Sequence, residues 1–500
     1  MKTKLLSLML LASLLLTFLA SCGGGTAAPA GTTAAGETAA VTEGAAAETT
    51  AAKVSYLDAN LPDVKYDGYT FRFIQTDPAT NYDNPWWKIV VSEINGDVLN
   101  DAIYTRNKTI EEAFGVTFAV TYYANDSTTL SSAKKSISAG DDAFDATHMS
   151  FAGSNSLVQE GMLVDLYTVD NLDLTRSWWD QNLTESLEVN GKMMYATGDI
   201  SPMMNIRCYA MVINKDMCAE LGMEAPYQIV RDGQWTAERF TGYVKGVNQD
   251  MNGDGQMDYE DRWGFFSENY TSTMMYVSFG GRIIEPDGKG SMVYTAESEK
   301  NVGRMTRALA LIIDKETTLW ANPLVAKNGN SWKAASEWYA AGNALIRSAS
   351  FETVPRDYRT MESDFGVLPF PKYDETQDEY ITTASDSGYV VAIPVTVSDA
   401  GRSGLILEAL AAESVNTVTT ALYDVCLNGK YVRDEESAEM IDIIFNGKVY
   451  ELGYMLDLGS FRSMLKNLET AYSTDVVSTL AANQTKITDA LAKYLAAFGK

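Results

Sequence analysis

The alternation of apolar and polar residues changes period along the first part of the chain. Residues 69–73 and 116–122 carry a large apolar side chain at every second position, which is typical of a half-buried strand. Between them, residues 97–114 have apolar side chains at helical spacing, and Gly115 is a typical helix end. A third strand is predicted at 144–149. This order predicts an α/β fold with a parallel sheet.

The pattern continues through the rest of the chain. Asn190 and Gly191 predict a tight turn before a strand at 192–197. A strand at 207–214 leads into a helix at 215–221. Further strands are predicted at 263–267, 344–348, 365–368 and 389–393, and the longest later helices at 297–315 and 475–498.

The first residues have the composition of a secretory signal. Two lysines precede an apolar run from residue 5 to residue 19, about 15 residues against the ~20 that a membrane-spanning helix needs, so residues 1–21 are predicted to be a removed signal peptide. The sequence Leu-Ala-Ser-Cys that ends at Cys22 resembles a bacterial lipobox. Cys22 is therefore expected to carry lipid and to hold the protein outside the cell on the membrane. The alternative is an ordinary signal peptide with a chance cysteine.

Residues 22–53 consist mainly of Ala, Thr, Gly and Glu and contain no aromatic residue. Such a segment buries too little apolar surface to offset its chain entropy and is predicted to be disordered. As a flexible coil its mean reach is ~30 Å. We expect it to act as a tether between the lipid and the folded body.

Charge and residue counts restrict the function. The net charge is −27, and the densest basic spot is Lys134 with Lys135, so a nucleic-acid partner is not expected. With one histidine, His148, the chain lacks the usual histidine-based metal and hydrolase motifs. Carboxylate chemistry of the glycosidase type stays open.

Once Cys22 is lipidated, Cys208, Cys218 and Cys426 are predicted to be mostly buried free thiols rather than a disulfide framework.

One segment has the spacing of a calcium-binding loop of the EF-hand type. Gly255 stands at position 6, where the chain must turn sharply, and position 12 is an aspartate rather than the usual glutamate, as in dockerins. We expect a structural calcium ion; the alternative is a polar turn without metal. The predicted ligands, with a backbone carbonyl from the fourth, are Asp250, Asn252, Asp254, Gln256, Asp258 and Asp261.

Aromatic residues gather near predicted loops. The chain has nine tryptophans and 27 tyrosines, and several stand beside Asp, Asn or Glu. Flat aromatic faces next to hydrogen-bonding groups suit sugar recognition. The alternative for each tryptophan is core packing.

Several ordered segments together resemble a known family. These segments are 107–116, 145–166, 212–215, 220–222, 235–236 and 364–373. With them, the chain from about residue 66 to the end resembles lipid-anchored extracellular solute-binding proteins of ABC importers, in the family 1, carbohydrate-type branch.

The resemblance implies a two-lobe, periplasmic-binding-protein-like fold of type II with a ligand cleft between the lobes. By analogy the first lobe comprises 54–203 and 364–425, and the second 204–363 and 426–500. The resemblance implies sugar-hydroxyl partners at Asp199, Glu268 and Asp386. It implies stacking residues at Trp86, Trp87, Phe151, Tyr270 and Phe351.

The resemblance further implies a monomeric binding protein, not an enzyme, that captures a solute by hinge closure and delivers it to a membrane permease. An oligosaccharide is the expected solute. Two alternatives stay open: a surface-anchored glycosidase that uses a carboxylate pair, and a calcium-stabilised adhesin or scaffold. Dockerins carry two calcium loops in tandem, whereas this chain shows one.

Overall fold

The computed structural model describes residues 54–77, 87–325, 330–425 and 434–499. The predictions for the signal peptide, Cys22, the tether, Trp86 and Cys426 lie outside these residues. The strands are β1 (Tyr69–Thr76), β2 (Val116–Tyr123), β3 (Ala146–Ser150), β4 (Tyr209–Asn214), β5 (Trp263–Ser267), β6 (Ile284–Pro286), β7 (Met292–Tyr294), β8 (Thr318–Trp320), β9 (Ala344–Ser350), β10 (Phe365–Leu368), β11 (Thr382–Thr383), β12 (Tyr389–Ala392) and β13 (Lys448–Val449).

Helices pack against the strands of both sheets. They are α1 (Val98–Phe114), α2 (Asp126–Ala139), α3 (Phe151–Gln159), α4 (Gln181–Leu187), α5 (Met203–Ile206), α6 (Lys215–Glu220), α7 (Tyr227–Arg231), α8 (Ala237–Val244), α9 (Thr271–Ser278), α10 (Glu299–Ile312), α11 (Ser331–Ala340), α12 (Ala400–Ser414), α13 (Thr420–Val425), α14 (Glu435–Asn446), α15 (Leu452–Met455), α16 (Phe461–Thr470) and α17 (Val476–Ala496). Shorter 3-10 or π turns are Tyr56–Ala59, Leu166–Thr168, Asn322–Leu324, Val354–Tyr358, Val415–Thr419, Leu458–Ser460 and Ala497–Gly499.

The first sheet has the strand order β12-β3-β1-β2, in which β1 pairs in parallel with both β2 and β3. This confirms the predicted α/β arrangement. Phe71 and Phe73 of β1 are fully buried. Asp97 caps α1 by accepting hydrogen bonds from two backbone amides of its first turn, and Gly115 ends α1 in the left-handed conformation at a φ of 64°. We call this sheet and its helices the first lobe.

The second sheet has the order β10-β4-β9-β5-β8 and forms the second lobe. Strands β9, β5 and β8 are parallel, while β4 runs antiparallel to β9 and β10 antiparallel to β4. The pairing of β10 places residues 365–368 in the second sheet, so the predicted return to the first lobe at 364 is too early. The return follows in the segment 369–388, which leads to β12.

The predicted strand at 192–197 is wrong. In this segment a single bridge forms at Lys192, across the turn at Asn190, and another forms at Ala196, to the edge strand β12. Two isolated bridges do not make a continuous strand. The turn itself forms, with positive φ at Asn190 and Gly191. Cys208 and Cys218 are buried free thiols, as predicted.

One helical stretch in the described chain, Ala400–Val425, is long and apolar enough to cross a membrane. Most of it is buried inside the protein, which is typical of a core helix. It packs against α1 and against the 3-10 turn Tyr56–Ala59 of the first lobe.

Candidate functional site

The two lobes meet at a cavity of about 500 Å³. It lies where β9 ends at Ser350 and where the loop after β5 reaches Tyr270, which is the carboxyl edge of the parallel strands. Ligands in open α/β sheets bind at this edge. The first lobe contributes Ser385, Asp386 and Ser387, which precede β12. These two groups of residues make the cavity the candidate ligand site.

Two aromatic rings form a platform in the cavity wall. The ring of Trp332 stacks on the ring of Tyr209, with centroids 6.1 Å apart and planes 20° apart. Trp332 is half-buried at the start of α11, and Tyr209 begins β4. Tyr270 and Tyr454 also line the cavity. These rings offer apolar faces beside polar groups.

A chain of ion pairs lies on the second-lobe side of the cavity. Glu352 pairs with Arg207 at 3.1 Å and with Arg356 at 3.5 Å, and Arg356 also pairs with Asp357 at 2.6 Å. Burial raises the pKa of Glu352 above its ordinary value, although the two arginines oppose the shift. Guanidinium and carboxylate groups in this arrangement present several donors and acceptors to a polar ligand.

Another ion pair joins the lobes. Arg462 of α16 contacts Asp386 at 2.6 Å, and its guanidinium lies 5.5 Å from the ring centre of Tyr270 and 5.4 Å from that of Tyr454. Asp386 is fixed to the first lobe because its carbonyl accepts a hydrogen bond of 3.1 Å from the amide of Ala152 in α3. Arg462 and Asp386 therefore bridge the cavity from opposite sides.

The sequence-predicted ligand residues fall into three groups. Tyr270 and Asp386 line the cavity. Glu268 and Trp87 lie one layer behind it, since Glu268 pairs with the buried Arg347 and the guanidinium of Arg207 covers the ring of Trp87 at 4.3 Å. Phe151, Phe351 and Asp199 are elsewhere.

The residues that do not reach the cavity have other partners. Phe151 packs edge-on against Tyr195, and Phe351 packs edge-on against Phe445; both phenylalanines are fully buried. Asp199 faces a separate cavity of about 320 Å³, which Lys448 also lines. Burial raises the pKa of Asp199 to about 6, although Thr419 and Lys448 oppose the shift. These three side chains do not line the cavity that holds Asp386.

Sequence reasoning missed most of the cavity wall. The sequence distinguishes Trp332 from the other eight tryptophans by no local signal, and it gives none for Arg207 or Arg462; Glu352 lies in a loop, 350–352, that the family resemblance places at the cleft. Arg462 and Asp386 are 76 residues apart in the chain. No local pattern marks such a pair, because the two residues meet only when both sheets are formed.

The predicted calcium loop connects α8 to β5. Gly253 and Gly255 have φ values of 75° and 77°, in the left-handed region. The loop carboxylates accept hydrogen bonds from loop amides: Asp250 from Gly253 and Gly255, and the fully buried Asp261 from Met251 and Asp258. Among the described residues, no group of three or more His, Cys, Asp or Glu converges as a metal site. Calcium binding stays a prediction.

No family model matches the chain. No curated protein matches it by sequence.

Solved structures do match. One is an ABC substrate-binding protein from Listeria monocytogenes in complex with cycloalternan, at 13% identity and a TM-score of 0.53, covering 85% of this chain and 100% of that one. A cyclo/maltodextrin-binding protein complexed with maltotetraose matches at 13% identity and 0.54, covering 86% and 98%. A Rhizobium etli sugar transporter protein in an open conformation matches at 13% and 0.54, covering 86% and 99%.

The protein therefore has the two-lobe, type II periplasmic-binding fold. Its structural neighbours include an ABC substrate-binding protein, a cyclo/maltodextrin-binding protein and a sugar transporter protein. This similarity confirms the predicted fold class.

Proposed function

We propose that the protein binds an extracellular sugar, of oligosaccharide class, in the cavity between its lobes. The observation that carries this proposal is the Trp332–Tyr209 platform beside the ion pairs of Glu352, Arg207 and Arg356. Sugars present apolar C–H faces and hydroxyl edges, and the platform and the charged groups match these two features. The cavity volume lies within the range of about 300–1,000 Å³ that is usual for small-ligand sites.

The binding step follows from the position of the cavity. Asp386 and Arg462 belong to different lobes and both line the cavity, so a ligand bound beside this ion pair contacts both lobes. Such a ligand favours the conformation in which both lobes reach it, and it shifts the population toward that closed state. We propose that an ABC permease recognises this closed state and receives the sugar.

The test is thermal unfolding of the chain without its signal peptide, measured against a panel of oligosaccharides. A ligand that binds only the folded state at 100 times its dissociation constant stabilises it by about 2.7 kcal/mol. A sugar that raises the unfolding midpoint and is recovered unchanged supports the proposal. A sugar that is recovered cleaved would instead identify a glycosidase, and a panel without any effect would contradict sugar binding.

A matched pair of variants assigns the site. Trp332 and Trp338 are both half-buried on α11, and each stacks on a tyrosine, but Trp338 stacks on Tyr259 outside the cavity lining. Trp332→Ala is expected to weaken sugar binding about tenfold, equivalent to about 1.4 kcal/mol. Trp338→Ala is expected to keep the affinity. Equal losses in both variants would place the site elsewhere.

We also propose that Cys22 carries lipid and anchors the protein to the outer face of the cell membrane. The support is the lipobox-like sequence before it, with two lysines and an apolar run upstream. Cells that express the wild type are expected to retain it in the membrane fraction, whereas Cys22→Ala is expected to be released or left unprocessed. Equal membrane retention of both proteins would contradict the anchor.

A further proposal is that calcium stabilises the loop between α8 and β5. Support comes from the ligand spacing and from the left-handed conformation of Gly255, the position-6 glycine at which this loop type turns sharply. The residues that would hold the ion are Asp250, Asn252, Asp254, Gln256, Asp258 and Asp261. Bound calcium would supply a fixed positive charge that holds these oxygens together.

A further inference from the structure

A buried ion pair lies directly behind the aromatic platform. Glu268 follows the end of β5, and Arg347 stands on the neighbouring strand β9. Their side chains are fully buried, and the Nη2 atom of Arg347 lies 3.3 Å from the Oε1 atom of Glu268. The family resemblance implies that Glu268 contacts the ligand. Its position behind the wall indicates a different role.

Arg347 reaches from this pair to Trp332. Its Nη2 atom donates a hydrogen bond of 3.1 Å to the backbone carbonyl of Trp332. Its guanidinium lies 5.7 Å from the centre of the Trp332 ring, within the range of a cation–π contact. Trp332 thus contacts both Tyr209 and Arg347. The orientation of the platform depends on where the guanidinium is held.

We infer that Glu268 and Arg347 are positioning residues that hold Trp332 against Tyr209 in the ligand cavity. This inference rests on the proposed sugar-binding function. Arg347 contacts Trp332 directly, and Glu268 acts through Arg347. Neither residue lines the cavity.

The groups around Arg347 show that the position of its guanidinium depends on Glu268. Arg347 also donates from Nη1 to the hydroxyl of Tyr358, and Tyr358 is linked through Ser336 to Asp357 in the cavity wall. Tyr339 packs beside Tyr358, with ring centres 5.0 Å apart. Of these groups, Glu268 is the carboxylate in direct contact with Arg347. Loss of its charge therefore weakens the hold on the guanidinium.

The charge of Glu268 is sensitive to pH near neutrality. Burial raises the pKa of Glu268 to about 7, although Arg347 opposes the shift. The Oε2 atom of Glu268 and the Nε atom of Arg347 have no hydrogen-bond partner within the described part of the chain. We expect Trp332 to sense the protonation of Glu268 through Arg347.

The test follows Trp332 by fluorine NMR in the chain without its signal peptide, labelled with 5-fluorotryptophan. The resonance is assigned by its absence in Trp332→Phe. In the wild type it is expected to shift with a midpoint near pH 7, and Glu268→Gln is expected to abolish this titration. The matched control is Glu469→Gln, because Glu469 is also fully buried with a pKa raised to about 7 in the same lobe, but it contacts Ser272 rather than the platform.

The outcomes separate clearly. A Trp332 titration that persists in Glu469→Gln and disappears in Glu268→Gln supports the inference. A wild-type resonance that does not change between pH 5 and 9, or a titration that Glu469→Gln abolishes, overturns it. If Glu268→Gln does not fold, Glu268→Asp takes its place: the shorter carboxylate is expected to move the midpoint of the Trp332 titration, and an unmoved midpoint overturns the inference.

The NMR test needs no sugar, so it is independent of the ligand screen. If the screen finds no sugar, the proposed function fails, while the Trp332 titration still shows whether Glu268 positions the ring. If a sugar is found, Glu268→Gln is expected to weaken its binding about three- to tenfold, and Glu469→Gln is expected to leave it unchanged. Unchanged binding in Glu268→Gln would contradict a role in positioning.

Discussion

Asp386 and Arg462 connect the two lobes through a salt bridge of 2.6 Å in the wall of the candidate site. Their side chains are about one-fifth exposed, at 22% and 19%. A second interlobe pair, Asp180 with Lys448 at 2.9 Å, is more deeply buried, at 9% exposure for both side chains. Solvent and ligand reach the first pair more easily. We infer that the first pair responds to ligand and that the second holds the lobes together.

Arg462→Gln tests the pair in the cavity. Because the pair is partly exposed, we expect its loss to change the free energy of unfolding by less than about 1 kcal/mol. Sugar affinity is expected to fall more clearly, since Arg462 lines the cavity beside Tyr270 and Tyr454. The control is Arg231→Gln, which breaks a pair with Glu439, also 2.6 Å long, inside the second lobe. Calorimetry that shows the same affinity loss in both variants would contradict this assignment.

Lys448→Met tests the buried pair. The substitution leaves the carboxylate of Asp180 buried without its cation, although the hydroxyl of Tyr450 still donates to it at 2.6 Å. Removing one partner of a buried pair typically costs about 3–5 kcal/mol, and the remaining hydrogen bond favours the lower end. Chemical denaturation measures the loss. Lys108→Met, which breaks an exposed pair with Glu111, should cost less than about 1 kcal/mol, and a similar cost for both would be evidence against the buried link.

The first sheet and the edge that carries the site could be predicted from the sequence. Strand alternation and the Gly115 helix end are local signals, and they identified β1, α1 and β2. Tyr270 follows β5, and Asp386 precedes the antiparallel strand β12, so both residues lie at the edge of the sheets where the candidate cavity is found. Side-chain direction could not be predicted in the same way. Phe151 and Phe351 follow strands at this edge, but their rings turn into the core.

The sequence pattern also does not predict which strands and side chains pair with each other. The alternation in residues 365–368 indicates a strand, but it does not say which sheet the strand joins, and β10 pairs with β4 of the second lobe. Glu268 could be placed at the end of β5, but its pairing with Arg347 depends on the register between β5 and β9. Such relationships are set by tertiary pairing, for which one sequence offers no local signal.

The calcium loop can be tested by its effect on stability. Millimolar calcium is expected to raise the unfolding midpoint of the wild type, because the ion binds the folded loop and not the unfolded chain. Asp254→Asn is expected to reduce this shift by removing one charged ligand. Asp287→Asn is the control, since Asp287 is an exposed aspartate that accepts backbone hydrogen bonds in another turn of the second lobe. A wild type that calcium does not stabilise would show that the loop is a metal-free turn.

The protonation of Glu469 is expected to make the free energy of unfolding depend on pH. Glu469 is fully buried on α16, where its Oε1 atom accepts a hydrogen bond of 3.3 Å from the amide of Ser272, and its Oε2 atom has no partner in the described chain. Burial raises its pKa to about 7, against an ordinary value of 4.5. The folded state therefore binds a proton more tightly than the unfolded state. The stability contributed by this group is present below pH 4.5 and is lost as the pH rises through 7.

Glu469→Gln removes this dependence, because the amide stays neutral and its oxygen can still accept from Ser272. The difference in pKa corresponds to about 3 kcal/mol. We expect the variant to gain stability over the wild type above pH 7, up to about this amount, and the gain to disappear near pH 4.5. Urea denaturation at several pH values measures the difference. Glu375→Gln changes an exposed glutamate and should show no such trend; a gain for Glu469→Gln that is constant with pH would mean that its carboxylate does not titrate in this range.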